Sequence, residues 1–293
     1  MPAPVVMFLP AHNEVATVAD VVRRTPVEVC GHRVEVVVVD DGSTDGTADA
    51  ARRAGARVHS LGANRGLGAA VREGLALGVA RRAAAVAFLD ADGEYAPEEL
   101  ATVVGPVLDG RADYVVGSRF AGLPRDMRPH RWLGNRVLTA GVKLLVRRWG
   151  MRGLTDGQSG YRALSAEAAA HAEVIHDFNY AQVLTLDLLA KGFRYAEVPI
   201  TYRFRQHGRS FIRVGAYLRQ VVPAIRRELR LPSDEPRAPR SVSTDSAGGR
   251  LFASERRRGA SAPRDPCSVL DHEAPKAVAG GEPPLGVEGA VGA

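Results

Sequence analysis

Three acidic residues, Asp90, Asp92 and Glu94, directly follow an apolar run that ends at Leu89. In an extended backbone every second side chain lies on the same side, so these carboxylates would share one face. A carboxylate that leaves water is costly unless it gains a cation, a donor or a proton. Three hard oxygen ligands at this spacing suit Mg²⁺ or Mn²⁺ held together with substrate phosphates. The stretch therefore predicts a divalent-metal site, and a solvated acidic loop is the alternative.

A second acidic pair, Asp40 and Asp41, ends the β-branched run VEVVVV and precedes GSTDGT. GSTDGT supplies a turn and a helix start, with Ser43 or Thr44 as the N-cap. Because successive strand side chains point to opposite sides, at most one of the two acids should cap this turn. The other would face a cleft and accept an N–H of a nucleotide base or a ribose hydroxyl. An ordinary loop whose acids cap a helix is the alternative.

Asn64 and Arg65 belong to ANRGLGAA, a glycine-rich segment without the spacing of a dinucleotide-binding fingerprint. Two interpretations stay open for it. The segment is either a glycine-rich helix entry or a place where these two side chains contact the base or the phosphates of a nucleotide.

Four arginines lie within YRFRQHGRSFIR, at positions 203, 205, 209 and 213. A planar guanidinium fork suits phosphate oxygens, so this segment predicts a phosphate-binding group. A solvated basic face is the alternative.

The segment RWLGNRVLTAGVKLLVRRWG has a polar residue at every fourth position, with Leu, Val and Trp on the other face. The polar residues are Asn135, Thr139, Lys143 and Arg147. This pattern fits an amphipathic helix over 132–149 that lies on anionic lipid. It fits equally a helix packed on the core with one wet face.

The net charge of +6 and the pI near 9.7 favour anionic partners, although the chain has only three lysines and an arginine-rich composition explains the charge as well. No apolar run approaches the roughly 18–20 residues that cross a bilayer. The first ten residues lack the basic region and cleavage site of a signal peptide. Cys30 and Cys267 lie far apart without metal spacing, so we expect neither a disulfide framework nor a zinc site. These features predict a cytoplasmic protein whose membrane contact, if it has one, is peripheral and on the cytoplasmic face.

Strand-like and helix-like segments alternate from Val5 to about Leu231. This alternation predicts an α/β fold, with a mostly parallel, Rossmann-like sheet and helices on both of its faces. The polar clusters PAHNE, DDGSTDG, ANRG, DADGE and GSRF each follow a strand. Ligands of such sheets bind outside the carboxyl ends of the strands, so these five loops should form one site.

The composition changes after Leu231. Residues 232–293 hold eight of the 18 prolines, together with Gly, Ser and Arg. Such a segment buries too little apolar surface to offset the entropy of ordering. We therefore predict a catalytic domain at 1–231 and a disordered tail at 232–293.

Seven motifs occur in the order seen in family 2 glycosyltransferases: LPAHNE, VVVDDGSTDGT, NRGLGAAVREG, FLDADGEY, VVGSRF, DGQSGYRAL and EVPITYRFRQHGRSF. Over roughly Val5 to Arg213 the chain most resembles the branch that contains dolichyl- and polyprenyl-phosphate mannose or glucose synthases. The resemblance implies a GT-A fold, a nucleotide-diphosphate sugar donor, and Mg²⁺ or Mn²⁺ at the Asp-x-Asp motif. It also implies a base and ribose pocket lined by Pro10, His12, Glu14, Asp40 and Asp41.

In the same resemblance, Asp90 would face the ribose or the metal, with Asp92 and Glu94 as metal ligands. Asp156 of TDGQSGYR would lie near the acceptor and the anomeric carbon. It would act as a base toward a hydroxyl acceptor. Toward a phosphate acceptor it would orient the donor sugar or balance the charge of arginines.

For a phosphate acceptor we expect Arg205 to bind the phosphate, with Arg119 and Arg131 as helpers. The related synthases have Arg-x-x-Gly-x-Ser-Lys around Arg205, and this chain has Phe211 where lysine is usual.

These observations predict a metal-dependent, inverting hexosyltransferase that uses a UDP-, GDP- or similarly activated sugar. The expected acceptor is a polyprenyl phosphate, and nucleic acid is not an expected partner. A soluble or secondary-metabolite hydroxyl acceptor is the first alternative. A sugar-1-phosphate nucleotidyltransferase would need a glycine-rich basic loop where PAHNEVATV stands. A non-catalytic nucleotide-sugar-binding module would not require Asp92, Glu94 and Asp156 to coexist.

Overall fold

The computed structural model describes residues 2–121, 139–140, 154–175 and 180–203, together with the backbone of 242–244 and 250–252. Its strands are β1 (Val5–Ala11), β2 (Glu28–Val29), β3 (His32–Asp40), β4 (Arg57–Ser60), β5 (Ala85–Phe88), β6 (Tyr114–Ser118), β7 (Arg162–Ser165), β8 (Tyr195–Pro199), β9 (Val242–Thr244) and β10 (Arg250–Phe252). Its helices are α1 (Val18–Arg24), α2 (Thr47–Arg53), α3 (Leu67–Ala80), α4 (Leu100–Leu108, entered through a 3₁₀ turn at Pro97–Glu99), α5 (Ala166–His171) and α6 (Ala181–Ala190).

The strands form one mixed sheet in the order β2-β3-β1-β5-β7-β6-β8-β10-β9, with β4 added on β3. Strands β4, β3, β1 and β5 are parallel neighbours. Strand β7 runs antiparallel between β5 and β6, and β8 is parallel to β6. Seven of these ten strands therefore point the same way and β2, β7 and β10 oppose them, which confirms the prediction of a mostly parallel sheet.

The apolar core lies on both faces of this sheet, because alternate residues of each central strand point to opposite sides. Val5, Met7 and Leu9 of β1 pack in one cluster with residues of α1, α2 and α4. Val6 and Phe8 pack in the other cluster with residues of α3, α5 and α6. All of β1 is buried, which explains why its sequence is a continuous apolar run. The predicted helices on both faces are confirmed.

None of the helices among the described residues is long and apolar enough to cross a membrane. From residues 232–293 only the two short strands β9 and β10 are described, so the disordered tail stays a prediction. Cys30 is disulfide-bonded in the structure, contrary to the expectation from the cysteine count, and its partner lies outside the described residues.

Candidate active site

The polar loops meet at one edge of the sheet, as the sequence predicts. The registers that join Ala11 to Asp40 and Asp40 to Ser60 bring the carboxyl ends of β1, β3 and β4 side by side. The loop after β5 lies next to them, because β5 pairs in parallel with β1. The pairing of Ser118 with Pro199 places the end of β6 at the same edge of the sheet.

The loops after β1 and β3 are joined by hydrogen bonds between side chains of one and the backbone of the other. The Asn13 N–H donates to Ser43 Oγ at 3.0 Å, and the Thr44 N–H donates to Asn13 Oδ1 at 2.9 Å. The Glu14 N–H donates to Thr47 Oγ1 at 2.8 Å. These bonds fix the backbone that carries His12 and Glu14. Pro10 is buried within β1 and is paired with Val39. It would therefore shape a pocket only through the backbone conformation that it imposes.

The surroundings of His12 select one tautomer of its ring. Nδ1 lies 2.7 Å from the Asp41 carbonyl oxygen, which can only accept a hydrogen bond. Nε2 lies 3.1 Å from Asn64 Nδ2 and 3.2 Å from Asn13 Nδ2, both of which are donors. These partners favour the tautomer that carries its proton on Nδ1 and accepts at Nε2. His12 and Asn64, both predicted to bind substrate, are in direct contact.

Asp40 and Asp41 are both buried and both bind backbone or hydroxyl donors. Asp40 accepts from the Ser43 N–H at 3.1 Å and from Ser60 Oγ at 3.2 Å. Asp41 accepts from the Arg65 and Gly66 N–H groups at 2.6 and 2.9 Å, directly before α3 begins. Only Asp40 caps the turn that follows β3, as expected, and Asp41 binds the backbone at the entry to α3. Because the two side chains point in opposite directions, Asp40 binds the loop after β3 and Asp41 binds the loop before α3.

The three acids after β5 have different surroundings. Asp92 is half-buried and accepts from the Glu94 N–H at 3.1 Å. Asp90 packs so closely on the backbone of Gly160 that a Cβ at that position would overlap Asp90 Oδ2. Glu94 is buried and accepts from Tyr202 Oη at 2.8 Å. Across the described part of the chain, no group of three or more His, Cys, Asp or Glu side chains is arranged to hold a metal ion.

This arrangement still fits a divalent cation that arrives with a substrate. Mg²⁺ usually binds proteins through one or two carboxylates and completes its shell with water and substrate phosphates. The half-buried carboxylates of Asp90 and Asp92 meet that requirement without a third protein ligand. Glu94 differs from these two in being buried and in accepting from Tyr202 through Oε2.

Asp156 is fully buried and forms a bidentate ion pair with Arg119, which is itself almost fully buried. Arg119 Nε and Nη2 donate to the carboxylate at 2.7 and 2.9 Å, and the Gln158 N–H donates to it at 3.0 Å. Burial alone would raise the pKa of Asp156, but the charge and hydrogen bonds of Arg119 outweigh it and lower that pKa below 3.8. The structure therefore joins two of the predicted site residues, and the carboxylate is a weak base in this pairing.

The sequence analysis did not identify Glu197 of β8, which fixes the backbone beside Asp156. Its carboxylate accepts from the Thr155 N–H at 2.8 Å, from the Asp156 N–H at 3.2 Å, and from the Thr155 hydroxyl. It also accepts from Tyr195 Oη at 2.6 Å. Burial raises the pKa of the Glu197 carboxyl despite these donors. The signal that could have identified Glu197 is an acidic residue within the buried strand YAEVP.

Arg162 of β7 was also missed, although it lies within the quoted motif DGQSGYRAL. The side chain is fully buried, and its guanidinium donates to the carbonyl oxygens of Ser159 and Ala181, both at 2.8 Å. It also donates to Tyr114 Oη and lies 5.3 Å from the ring centroid of Tyr180. Arg162 thereby ties the 157–162 segment to α6.

Arg131 and Arg205, predicted to meet an acceptor phosphate, lie outside the described residues, as do Arg209 and Arg213. Of the predicted 132–149 helix, only Thr139 and Ala140 are described, and both are helical. Thr139 is buried and its hydroxyl accepts from the Gly157 N–H at 3.3 Å. This member of the polar stripe therefore faces the Asp156 loop instead of water or lipid.

The family model for glycosyl transferase family 2 matches residues 7–169. Polyprenol monophosphomannose synthase of Mycolicibacterium smegmatis is 31% identical over 214 residues, which cover 69% of this chain and 78% of that protein. Undecaprenyl-phosphate mannosyltransferase of Micrococcus luteus is 32% identical over 237 residues, covering 76% of this chain and 93% of the relative.

A solved structure of glucosyl-3-phosphoglycerate synthase from Mycobacterium tuberculosis, in complex with Mn²⁺ and UDP-glucose, superposes with a TM-score of 0.61 at 26% identity. The superposition covers 78% of this chain and 80% of that one. The comparisons confirm the resemblance that the motifs indicated and, with the sheet described above, the GT-A fold. This chain therefore belongs to glycosyl transferase family 2 and is a glycosyltransferase.

Proposed function

We propose that this glycosyltransferase transfers a sugar, with inversion and with a divalent metal, from a nucleotide-diphosphate sugar to a polyprenyl phosphate. The observation that carries this proposal is the state of Asp156. Its carboxylate is held by Arg119 and its pKa is lowered, so it is a poor base for a hydroxyl acceptor. A phosphate monoester is largely ionised at neutral pH and attacks without that help. The curated relatives whose names state a polyprenyl-phosphate acceptor support the same choice.

The donor would bind across the loops at the carboxyl edge of the sheet. Asp90 and Asp92 would hold Mg²⁺ or Mn²⁺ together with the diphosphate, and Glu94 would join them only by leaving Tyr202. When bound, the metal stabilises the negative charge of the departing nucleoside diphosphate. His12 would offer an acceptor at Nε2, and the Asn64 amide would offer donors, toward a base or ribose. Glu14, Asp40 and Asp41 would shape the same pocket, the two aspartates by holding its loops.

The acceptor would approach from the side of Asp156. Its phosphate oxygen would attack the anomeric carbon from the side opposite the leaving group, which inverts that centre. Arg119, neutralised by Asp156, would contribute donors more than net charge. In this proposal Arg205 and Arg131 supply the positive charge that binds the acceptor phosphate. A lipid acceptor would also require peripheral contact between the protein and a membrane.

Donor binding is tested by calorimetry with UDP and with GDP, with and without Mn²⁺. We expect affinity for one nucleotide to depend on Mn²⁺ and to fall in Asp92→Ala. Asp49→Ala is the matched control, because this aspartate lies exposed on α2 and pairs with Arg52. Equal affinity in chelator and in Asp92→Ala would contradict the metal-dependent donor site.

Acceptor choice is tested by transfer to a short polyprenyl phosphate and to simple alcohols. Arg205→Lys keeps the charge and loses the planar fork, so transfer to the lipid phosphate should fall while donor hydrolysis survives. Arg52→Lys, at an exposed position of α2, is the control.

A soluble hydroxyl acceptor is the second candidate function. Two observations favour it: the similarity to glucosyl-3-phosphoglycerate synthase, which has also been solved with Mn²⁺, UDP and phosphoglyceric acid, and the Phe211 departure from the lipid-phosphate motif. A wild type that glycosylates only alcohols, with no effect of Arg205→Lys, would replace the lipid-phosphate proposal with this one.

A further inference from the structure

Tyr202 lies between the acidic loop after β5 and the ion pair of Arg119. Its hydroxyl donates to Glu94 Oε2 at 2.8 Å. Its ring centroid lies 5.4 Å from the Arg119 guanidinium carbon, within the range of a cation–π contact. The ring also packs edge-on against Tyr95, with 5.7 Å between centroids and 67° between planes. One side chain therefore contacts both sides of the proposed site.

The backbone around Tyr202 is attached to the same acidic loop. Tyr202 forms an antiparallel bridge with Tyr95. The Arg203 N–H donates to the Glu94 carbonyl oxygen at 2.8 Å. A displacement of residues 94–95 would therefore move residues 202–203 as well, and Arg205 follows only two positions later in the chain.

These contacts form a continuous path of side chains from Glu94 through Tyr202 and Arg119 to Asp156. The last step is the 2.7 and 2.9 Å ion pair between Arg119 and Asp156. Energetic coupling between two ligands can be carried by such a path of packed or hydrogen-bonded groups when both ligands change its arrangement. A cation held by Asp92 would attract the Glu94 carboxylate, whose Oε2 the Tyr202 hydroxyl holds at 2.8 Å.

We propose that Tyr202 is a positioning residue that couples binding of the donor at the acidic loop to binding of the acceptor beside Arg119. The inference rests on the proposed function, because it needs a metal-bound nucleotide on one side and a phosphate acceptor on the other. Donor binding that draws the Glu94 carboxylate away from Tyr202 would release the Tyr202 ring and its backbone. Because this ring contacts Arg119, the surroundings of Arg119 would change as well. By reciprocity the acceptor must change donor affinity by the same factor.

The test is calorimetric titration of the whole chain with Mn²⁺ and UDP, or Mn²⁺ and GDP, each with and without a saturating short polyprenyl phosphate. The ratio of the two Kd values measures coupling, which in proteins is typically about 5- to 150-fold. We expect a ratio in this range for the wild type and a ratio near one for Tyr202→Phe. The control is Tyr161→Phe, since Tyr161 packs on the same Tyr95 ring at 6.1 Å without contacting Glu94. It should keep the wild-type ratio.

Glu94→Gln provides a second variant if Tyr202→Phe folds poorly. The amide oxygen still accepts from the Tyr202 hydroxyl, but a neutral amide is not drawn toward the cation, so we expect the coupling ratio to fall toward one. A wild-type ratio near one, or an unchanged ratio in Tyr202→Phe, would overturn the inference and leave the proposed function intact. A wild type that binds neither nucleotide would overturn the proposed function and the inference with it.

Discussion

Arg119 and Asp156 form a buried, bidentate ion pair at the carboxyl edge of the sheet. Arg119 also donates its backbone N–H to Asp156 Oδ2 at 3.1 Å, so the two residues are joined at three points. Burial opposes the charge of Arg119, but the nearby Tyr95 and Asp156 raise the pKa of its guanidinium. Removing one partner of such a pair leaves an uncompensated buried charge.

Asp156→Asn is expected to impair transfer to an alcohol and to a lipid phosphate by similar factors, because pairing with Arg119 leaves Asp156 a weak base. A general base would instead be worth about 10²–10⁴-fold for the alcohol alone, since an ionised phosphate needs little of it. The ratio of the two kcat values in wild type and variant is the measurement. A loss confined to the alcohol would show that Asp156 acts as a general base and would contradict the role inferred from its ion pair. The free energy of unfolding should also fall, by about 3–5 kcal/mol, because Arg119 loses its counter-charge.

The same pair predicts how stability depends on pH. Because the pKa of Asp156 is lower in the folded state, its contribution is present above the unfolded value near 3.8 and is lost as pH falls through the folded pKa. The difference in free energy of unfolding between wild type and Asp156→Asn should therefore be constant above about pH 5 and shrink in stronger acid. Urea unfolding at a series of pH values measures it. A difference that does not vary with pH would contradict the lowered pKa.

The sequence predicts the parallel part of the sheet because its signals are local. Strands β1 and β5 are apolar runs that are buried on both faces, β3 is buried over its last four residues, and each is followed by polar residues at the same edge. Direction and register then follow from the connections through helices. The meeting of His12 with Asn64, and of the acidic loops with each other, is a consequence of that register.

Strand β7 and its contacts could not be predicted, because they depend on partners far away in the chain. Arg162–Ser165 is too short to show the periodicity that distinguishes a strand. Its antiparallel pairing with β5 and β6 is determined by tertiary contacts. The pairings of Asp156 with Arg119 and of Glu94 with Tyr202 span 37 and 108 positions. The acidic residue types indicated that Asp156 and Glu94 need partners, but their positions in the sequence did not identify Arg119 and Tyr202 as those partners.

Gly160→Ala is expected to weaken donor binding by displacing Asp90. The added Cβ would lie closer than 3.0 Å to Asp90 Oδ2. Losing the support of a metal ligand typically costs about 10- to 100-fold in affinity, so we expect that loss for Mn²⁺ with UDP or GDP. Gly78→Ala is the control, since its Cβ would overlap Val86 in the core, away from the acids. It should lower Tm, as overpacking costs about 1–3 kcal/mol, and leave the Kd of the folded protein unchanged. Unchanged affinity in Gly160→Ala would remove Asp90 from the donor site.

Glu197→Gln is expected to lower kcat while leaving the KM for the donor unchanged. Both oxygens of Glu197 accept hydrogen bonds from Thr155 or Asp156. In the glutamine variant an NH₂ group would replace one of these oxygens, so a donor would face a donor there. The Asp156 backbone then loses a fixed position, at a cost of about 1–3 kcal/mol for each donor left unsatisfied. Asp113→Asn is the matched control. It breaks a carboxylate–arginine pair with Arg194 at the opposite edge of the same strands and should reduce stability alone.

A pH profile separates this positioning role from a general loss of packing. Burial raises the pKa of Glu197, so its protonated form is favoured in the folded protein and stability from this group is lost as pH rises through the folded pKa. Protonation also removes an acceptor from the Thr155 and Asp156 loop, so kcat should fall on the acid side of that pKa. In Glu197→Gln this acid limb should vanish and kcat should stay low at every pH. An acid limb that persists unchanged in the variant would assign the titration to another group and leave Glu197 with a structural role only.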